Sequence, residues 1–125
     1  MEKPYRIIIA GSRDFNDYVL LKTECDKFIA GTPDDRQIVI ISGGAKGADS
    51  LGERYAREHG LQIRRFPADW NRFGKSAGPR RNVEMVQNAD ALIAFWDGQS
   101  RGTKHMVKTA MQKENSVNWV RVVRY

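Results

Sequence analysis

Two glycine-rich turns and a set of arginines are the parts of this chain most suited to chemistry. Ser42-Gly43-Gly44-Ala45-Lys46-Gly47 and Ser100-Arg101-Gly102-Thr103 each stand just before a helical pattern. Glycines there allow close backbone approach, and amides at a helix start carry partial positive charge suited to phosphate. Arg13, Arg80 and Arg81 offer forked donors that match phosphate oxygens. Asp49 is placed to bond a ribose hydroxyl or to cap the helix it opens. Trp70 and Phe73 lie among the cations as candidates for stacking on a base, with core packing or loop anchoring as the default role of either.

Other chemistries are excluded by the same reading. The first turn is Gly11-Ser12-Arg13-Asp14-Phe15, without the G-x-G-x-x-G of ordinary NAD sites. Gly98–Lys104 is one residue short of a nucleotide-triphosphatase loop and lacks its closing Lys-Ser/Thr pair. His59 stands at an expected helix end, and His105 has no evident carboxylate or cysteine partner, so no nucleophilic triad is defensible. The single cysteine, Cys25, falls on the apolar face of a helical pattern and reads as a small buried hydrophobe. Asp14, Asp49, Asp69 and Asp97 are scattered singly, so no metal site is expected. Mg²⁺ would enter only as the companion of a diphosphate ligand.

The elements that must position these residues alternate regularly. Tyr5–Ala10, Gln37–Ser42, Leu61–Phe66, Ala91–Trp96 and, more weakly, Val117–Val123 are short apolar runs of the kind buried in parallel sheets. Helical patterns cover Tyr18–Ala30, Ala48–Gly60, Pro79–Asn88 and Thr103–Glu114. Pro67–Gly78 reads as a long irregular functional loop. This alternation predicts an α/β fold: one Rossmann-like α/β/α domain over residues 1–125, with a mostly parallel five-stranded sheet. In such sheets ligands sit beyond the carboxyl ends of the strands, which is where both glycine turns fall.

Composition agrees with that picture. The 125 residues are 41% hydrophobic and 29% charged, enough for a core, with a formal net charge of +6. Between Leu61 and Arg81 there are six basic residues and one acid, Asp69. That balance points to anionic partners. No run is long enough to cross a bilayer, and the N-terminus has no cleavage pattern, so a cytoplasmic protein without membrane contact is expected.

The motifs GSRDF at residues 11–15, SGGAKGAD at 42–49, PADW at 67–70, AGPRRNVEM at 77–85, ADALIAFWDG at 89–98 and SRGTKHM at 100–106 together resemble the SLOG superfamily, most closely its YspA-like branch. The resemblance implies a nucleotide or nucleotide-derived ligand, a mononucleotide or an ADP-ribose-like molecule, held by a binding or sensing module. It further implies contacts from Gly11, Ser12, Arg13, Gly43, Gly44, Lys46, Gly47, Asp49, Arg80, Arg81, Asn82, Ser100, Gly102 and Thr103. Ser12, Asp49 and Asn82 are the candidates for ribose or base. A homodimer is the expected assembly.

Two alternatives follow from more distant branches. The phosphoribohydrolases of the superfamily would place their arginine on Arg81 and their Gly-Thr pair on Gly102-Thr103. Their lysine is Asn82 here, and their glutamate falls on Met106, which cannot stabilise a developing oxocarbenium charge. Enzymatic activity is therefore left open, with Arg81 as the catalytic candidate if it exists. The DprA branch suggests single-stranded DNA as a partner, with bases stacked on Phe66, Trp70 or Phe73 among the cations.

Overall fold

The computed structural model describes residues 3–32, 37–112 and 116–125. Five strands, β1 (Tyr5–Gly11), β2 (Ile38–Ser42), β3 (Gln62–Arg65), β4 (Ala91–Trp96) and β5 (Trp119–Arg124), form one sheet in the order β3-β2-β1-β4-β5. Every pairing is parallel, in registers such as Ile7↔Ile40 and Ile9↔Ile93. The sheet is thus wholly rather than mostly parallel. Parallel neighbours require crossovers, which the helices α1 (Tyr18–Ala30), α2 (Ala48–Glu58), α4 (Ala77–Gln87) and α5 (Arg101–Ala110) supply.

Strand alternation divides the core in two. Ile7, Ile9, Ile40, Ile93 and Phe95 face α1 and α2, packing with Leu21, Cys25, Tyr55 and Ala56. Ile8, Ala10, Ile41, Leu92 and Ala94 face α4 and α5, packing with Met85, Val86, Met106 and Ala110. Successive side chains of a strand point to opposite faces, so continuous apolar runs such as IIIA and ALIAF fill both layers. The result is helix, sheet, helix.

Helix starts follow local chemistry. Asp17 caps α1 by accepting from the Leu20 amide, and Pro79 sits in the first turn of α4, where no helical donor is lost. Pro67–Gly78 is not an irregular loop. Asp69 accepts from the Arg72 amide and starts a one-turn helix, α3 (Trp70–Phe73), which runs through a 3-10 turn at Gly74–Ser76 into α4. The expected last helix starts two residues earlier than its pattern and ends at Ala110; residues 113 and 114 of that expectation lie outside the described residues. Among the described residues no helix is long and apolar enough to cross a membrane.

Candidate functional site

Strand order reverses between β1 and β4, since β1 leads on one side to β2 and β3 and on the other to β4 and β5. The loops leaving β1 and β4 must therefore diverge to opposite faces, and a crevice opens between them at the carboxyl edge. A cleft of about 620 Å³ lies there, a size suited to a small-molecule ligand. Ala10–Asp14 form one wall and Asp97 with Ser100–Thr103 another; the floor includes Met85 and Met106. Beside it, a second cleft of about 730 Å³ is bounded by Gly43–Lys46, Glu53, Arg65 and Pro67-Ala68. The two share Arg13, Ala45, Trp70 and Arg81.

Arg81 is the pivot between them. Its Nη1 donates to the Gly43 carbonyl at 2.7 Å and its Nε to Asn82 Oδ1 at 3.3 Å. Burial lowers its pKa and so opposes its charge; the Asp49 carboxylate supports that charge, while the neighbouring Arg13 opposes it. Asp49 is buried at 5% exposure, and its Oδ2 accepts from the Ala45 amide at 3.3 Å. It turns back onto the loop before its helix, while Gly47 stands at the helix start. Burial pushes the Asp49 carboxyl above the usual carboxylate range, against the pull of the Ala45 amide and of Arg81.

The glycines of the turn have different reasons. A Cβ on Gly43 would stand 2.7 Å from both Arg81 Nη1 and Asp49 Oδ2, so this position must be bare for the two side chains to lie against it. Gly47 has φ +79°, and a Cβ there would collide with the Ser12 carbonyl oxygen, holding the β2 turn against the β1 turn. Ser42 fixes the near end of the turn: its hydroxyl accepts from the Gly44 amide at 3.0 Å and donates to Glu53 at 2.7 Å. Arg65 clasps the same Glu53 carboxylate through Nε and Nη2, at 2.6 Å for the shortest contact. That clasp is the main reason the Glu53 carboxyl titrates below its ordinary range.

The turn before α5 is largely self-satisfied. Asp97 accepts from the amides of Gln99 and Ser100, both at 2.8 Å, and Ser100 Oγ accepts from the Thr103 amide. These amide bonds hold the Asp97 carboxyl below its usual range. Asn82 reaches across from α4: Nδ2 donates to the Gly102 carbonyl and meets His105 Nδ1, both at 3.2 Å. His105 thus has a partner that its sequence neighbourhood does not reveal, and it lines the first cleft.

The sequence-predicted residues are not all brought together. Gly11, Ser12, Arg13, Asp49, Arg81, Asn82, Ser100, Gly102 and Thr103 line the first cleft, and Gly43, Gly44 and Lys46 the second. Gly47 and Arg80 line neither; the Arg80 guanidinium lies over the Phe73 ring at 4.3 Å and donates to Ser76. Phe73 is correspondingly covered by Arg80 and Arg72, while Trp70, 51% exposed, borders both clefts. Sequence reasoning overlooked Met85 and His105, although each follows a predicted site residue, Asn82 or Gly102, by three positions on the same helix face. Met106 lines the first cleft where the hydrolase branch would carry its glutamate.

A parallel α/β sheet with a cleft at its switch point defines a Rossmann-like α/β domain. The model of the YspA, cpYpsA-related SLOG family matches residues 5–73, which include the β1 and β2 turns and Trp70. The chain is also 35% identical over 113 residues to the Gene 61 protein of Mycobacterium phage D29, covering 86% of this chain and 89% of that one. This protein belongs to the YspA, cpYpsA-related SLOG family. No solved structure gives a significant match.

Proposed function

We propose that this protein binds a nucleotide or nucleotide-derived ligand, a mononucleotide or an ADP-ribose-like molecule, at the carboxyl edge of its sheet, as a binding or sensing module. One observation carries the reading: a half-buried arginine, Arg81, stands beside a second cation, Arg13, at the mouth of the switch-point cleft. Two cations side by side gain from an anion between them, and phosphate matches their forked donors. Apolar surface from Ala10, Pro79, Met85 and Met106 suits the nucleoside part, and family membership supports the same ligand class.

Binding without turnover is favoured by the state of the carboxylates around the cleft. Asp14 accepts from the Tyr125 hydroxyl at 2.6 Å, Asp97 from two amides and Asp49 from the Ala45 amide. Each is engaged in holding a loop, and the position of the hydrolase glutamate is a thioether. A thermal-shift panel of nucleoside monophosphates, ADP-ribose, NAD, cyclic dinucleotides and a short oligothymidine tests the reading. A ligand at 100 times its dissociation constant adds about 2.7 kcal/mol of stability, a shift of several degrees or more for a domain of this size. Stabilisation by a small nucleotide that is recovered intact is the expected result. Release of free base would replace the binding reading with the hydrolase one, and a response to the oligonucleotide alone would replace it with the DNA one.

A further inference from the structure

The two clefts differ sharply in charge. Around the first, Arg13, Arg81 and Arg101 face Asp14, Asp49 and Asp97, three cations against three carboxylates. Around the second, Arg13, Lys46, Arg65 and Arg81 face Glu53 alone. Glu53 is already committed to Arg65 through the two-pronged clasp and to Ser42. Neither Arg13 nor Lys46 has a hydrogen bond or ion pair with any described residue, and both are exposed on the rim. The second cleft is a cationic chamber with no internal counter-charge for Lys46.

Continuity gives the chamber a direction. Arg13, Ala45, Trp70 and Arg81 belong to both clefts, so a ligand seated in the neutral, partly apolar first cleft leaves it over the two arginines. The second cleft that adjoins them is lined by Lys46 and by Arg65, whose side chain stays 59% exposed beside Glu53. A nucleoside monophosphate ends at the arginines. A chain that continues past the first phosphate carries its added charge into the chamber, where field and geometry favour it.

We propose that the second cleft is a distinct anion subsite, formed by Lys46 and Arg65, that selects nucleotides extended by a second phosphate over monophosphates. This rests on the nucleotide reading above and adds a specificity to it. The nucleoside sits in the first cleft, the first phosphate lies over Arg13 and Arg81, and the second phosphate lies in the chamber. Selectivity arises because the first cleft's own acids balance its cations, whereas the chamber's free lysine has nothing else to neutralise it.

The test is calorimetric titration of the whole chain with AMP, ADP, GMP and GDP at fixed ionic strength, in the wild type, Lys46→Met and Arg13→Met. The expected result is that the diphosphate of the preferred base binds at least tenfold more tightly than its monophosphate. Lys46→Met should reduce diphosphate affinity about tenfold more than monophosphate affinity, and Arg13→Met should weaken both alike. The Lys46 side chain makes no internal bond, so its removal leaves the fold intact. Equal affinity for mono- and diphosphate, or an equal loss of both in Lys46→Met, would overturn the subsite while leaving the nucleotide reading standing. Absence of binding by all four nucleotides would overturn this inference, and silence across the whole thermal-shift panel as well would overturn the nucleotide reading with it.

Discussion

Arg81→Ala is the substitution whose consequences are best determined by the geometry. The guanidinium makes two internal bonds, to the Gly43 carbonyl at 2.7 Å and to Asn82 Oδ1 at 3.3 Å, and borders both clefts. A charge-assisted hydrogen bond to phosphate contributes about 1.5–3 kcal/mol, so the variant should bind a phosphorylated ligand about 10- to 150-fold more weakly. The fold should lose less. Gly43 lines the second cleft, and truncating Arg81 admits water to its carbonyl, so the cost should be about 1 kcal/mol, or about 3–6 °C in Tm. The two effects separate if unliganded Tm is measured beside calorimetric affinity for the ligand found in the thermal-shift panel. A variant with unchanged affinity and lowered Tm would refute the reasoning, because it would make Arg81 a purely architectural strut between the β2 turn and α4.

Asp49→Asn tests the buried carboxyl. Its folded pKa lies above the ordinary value, so the stability it contributes is full below the ordinary carboxylate range and is lost as pH rises through the folded pKa. Asparagine keeps an acceptor for the Ala45 amide without the buried charge, so its Tm at pH 7 should equal or exceed the wild type's, with that margin shrinking in acid. A lower Tm at pH 7 that recovers in acid would mean that pairing with Arg81 outweighs burial. Gly47→Ala, at φ +79° and against the Ser12 carbonyl, should cost more than about 1 kcal/mol in a denaturant titration; a wild-type midpoint would show that the two turns do not depend on this contact. Cys25, its thiol pushed up to about 12 chiefly by burial and then by Asp26 and Glu24, should resist a thiol–disulfide exchange reagent at pH 8 until the protein unfolds. Rapid modification of the native protein would place it outside the core.

Much of the architecture is legible in the chain because each strand is a short apolar run and each crossover a helical pattern. Ala91–Trp96 and Tyr18–Ala30 have the same bounds in pattern and in structure. The parallel arrangement follows from the alternation, and the place of the cleft follows from the arrangement. Pro67–Gly78 was opaque because a one-turn helix has no periodicity to display; only Asp69, three residues before Arg72, signals it. The glycine turns were visible as turns, but their internal economy was not. Whether Asp97 and Ser100 occupy the amides before α5, or leave them free for an anion, depends on backbone angles that residue type does not specify. Arg80 and Arg81 are neighbours in sequence and diverge in space, because adjacent helical residues point about 100° apart: one reaches the Gly43 carbonyl and the other lies on Phe73. His105 gains its partner only because α4 and α5 pack together.

The Asn82 side chain joins elements that the sheet holds on opposite sides of its switch point. Its oxygen steadies Arg81, which grips the β2 turn through Gly43, while its amide nitrogen grips the α5 turn through Gly102 and meets His105. In the binding mode proposed above, affinity is therefore an exchange. An anion that draws the guanidinium off the Gly43 carbonyl must compensate for a short bond already made, so weakly basic anions gain little and phosphate gains more. The same exchange would reach the loop itself: freed of Arg81, the β2 turn would lose its only side-chain tie to α4 among the described hydrogen bonds. Occupancy of the cleft would then be read in the mobility of a loop that the ligand need not touch.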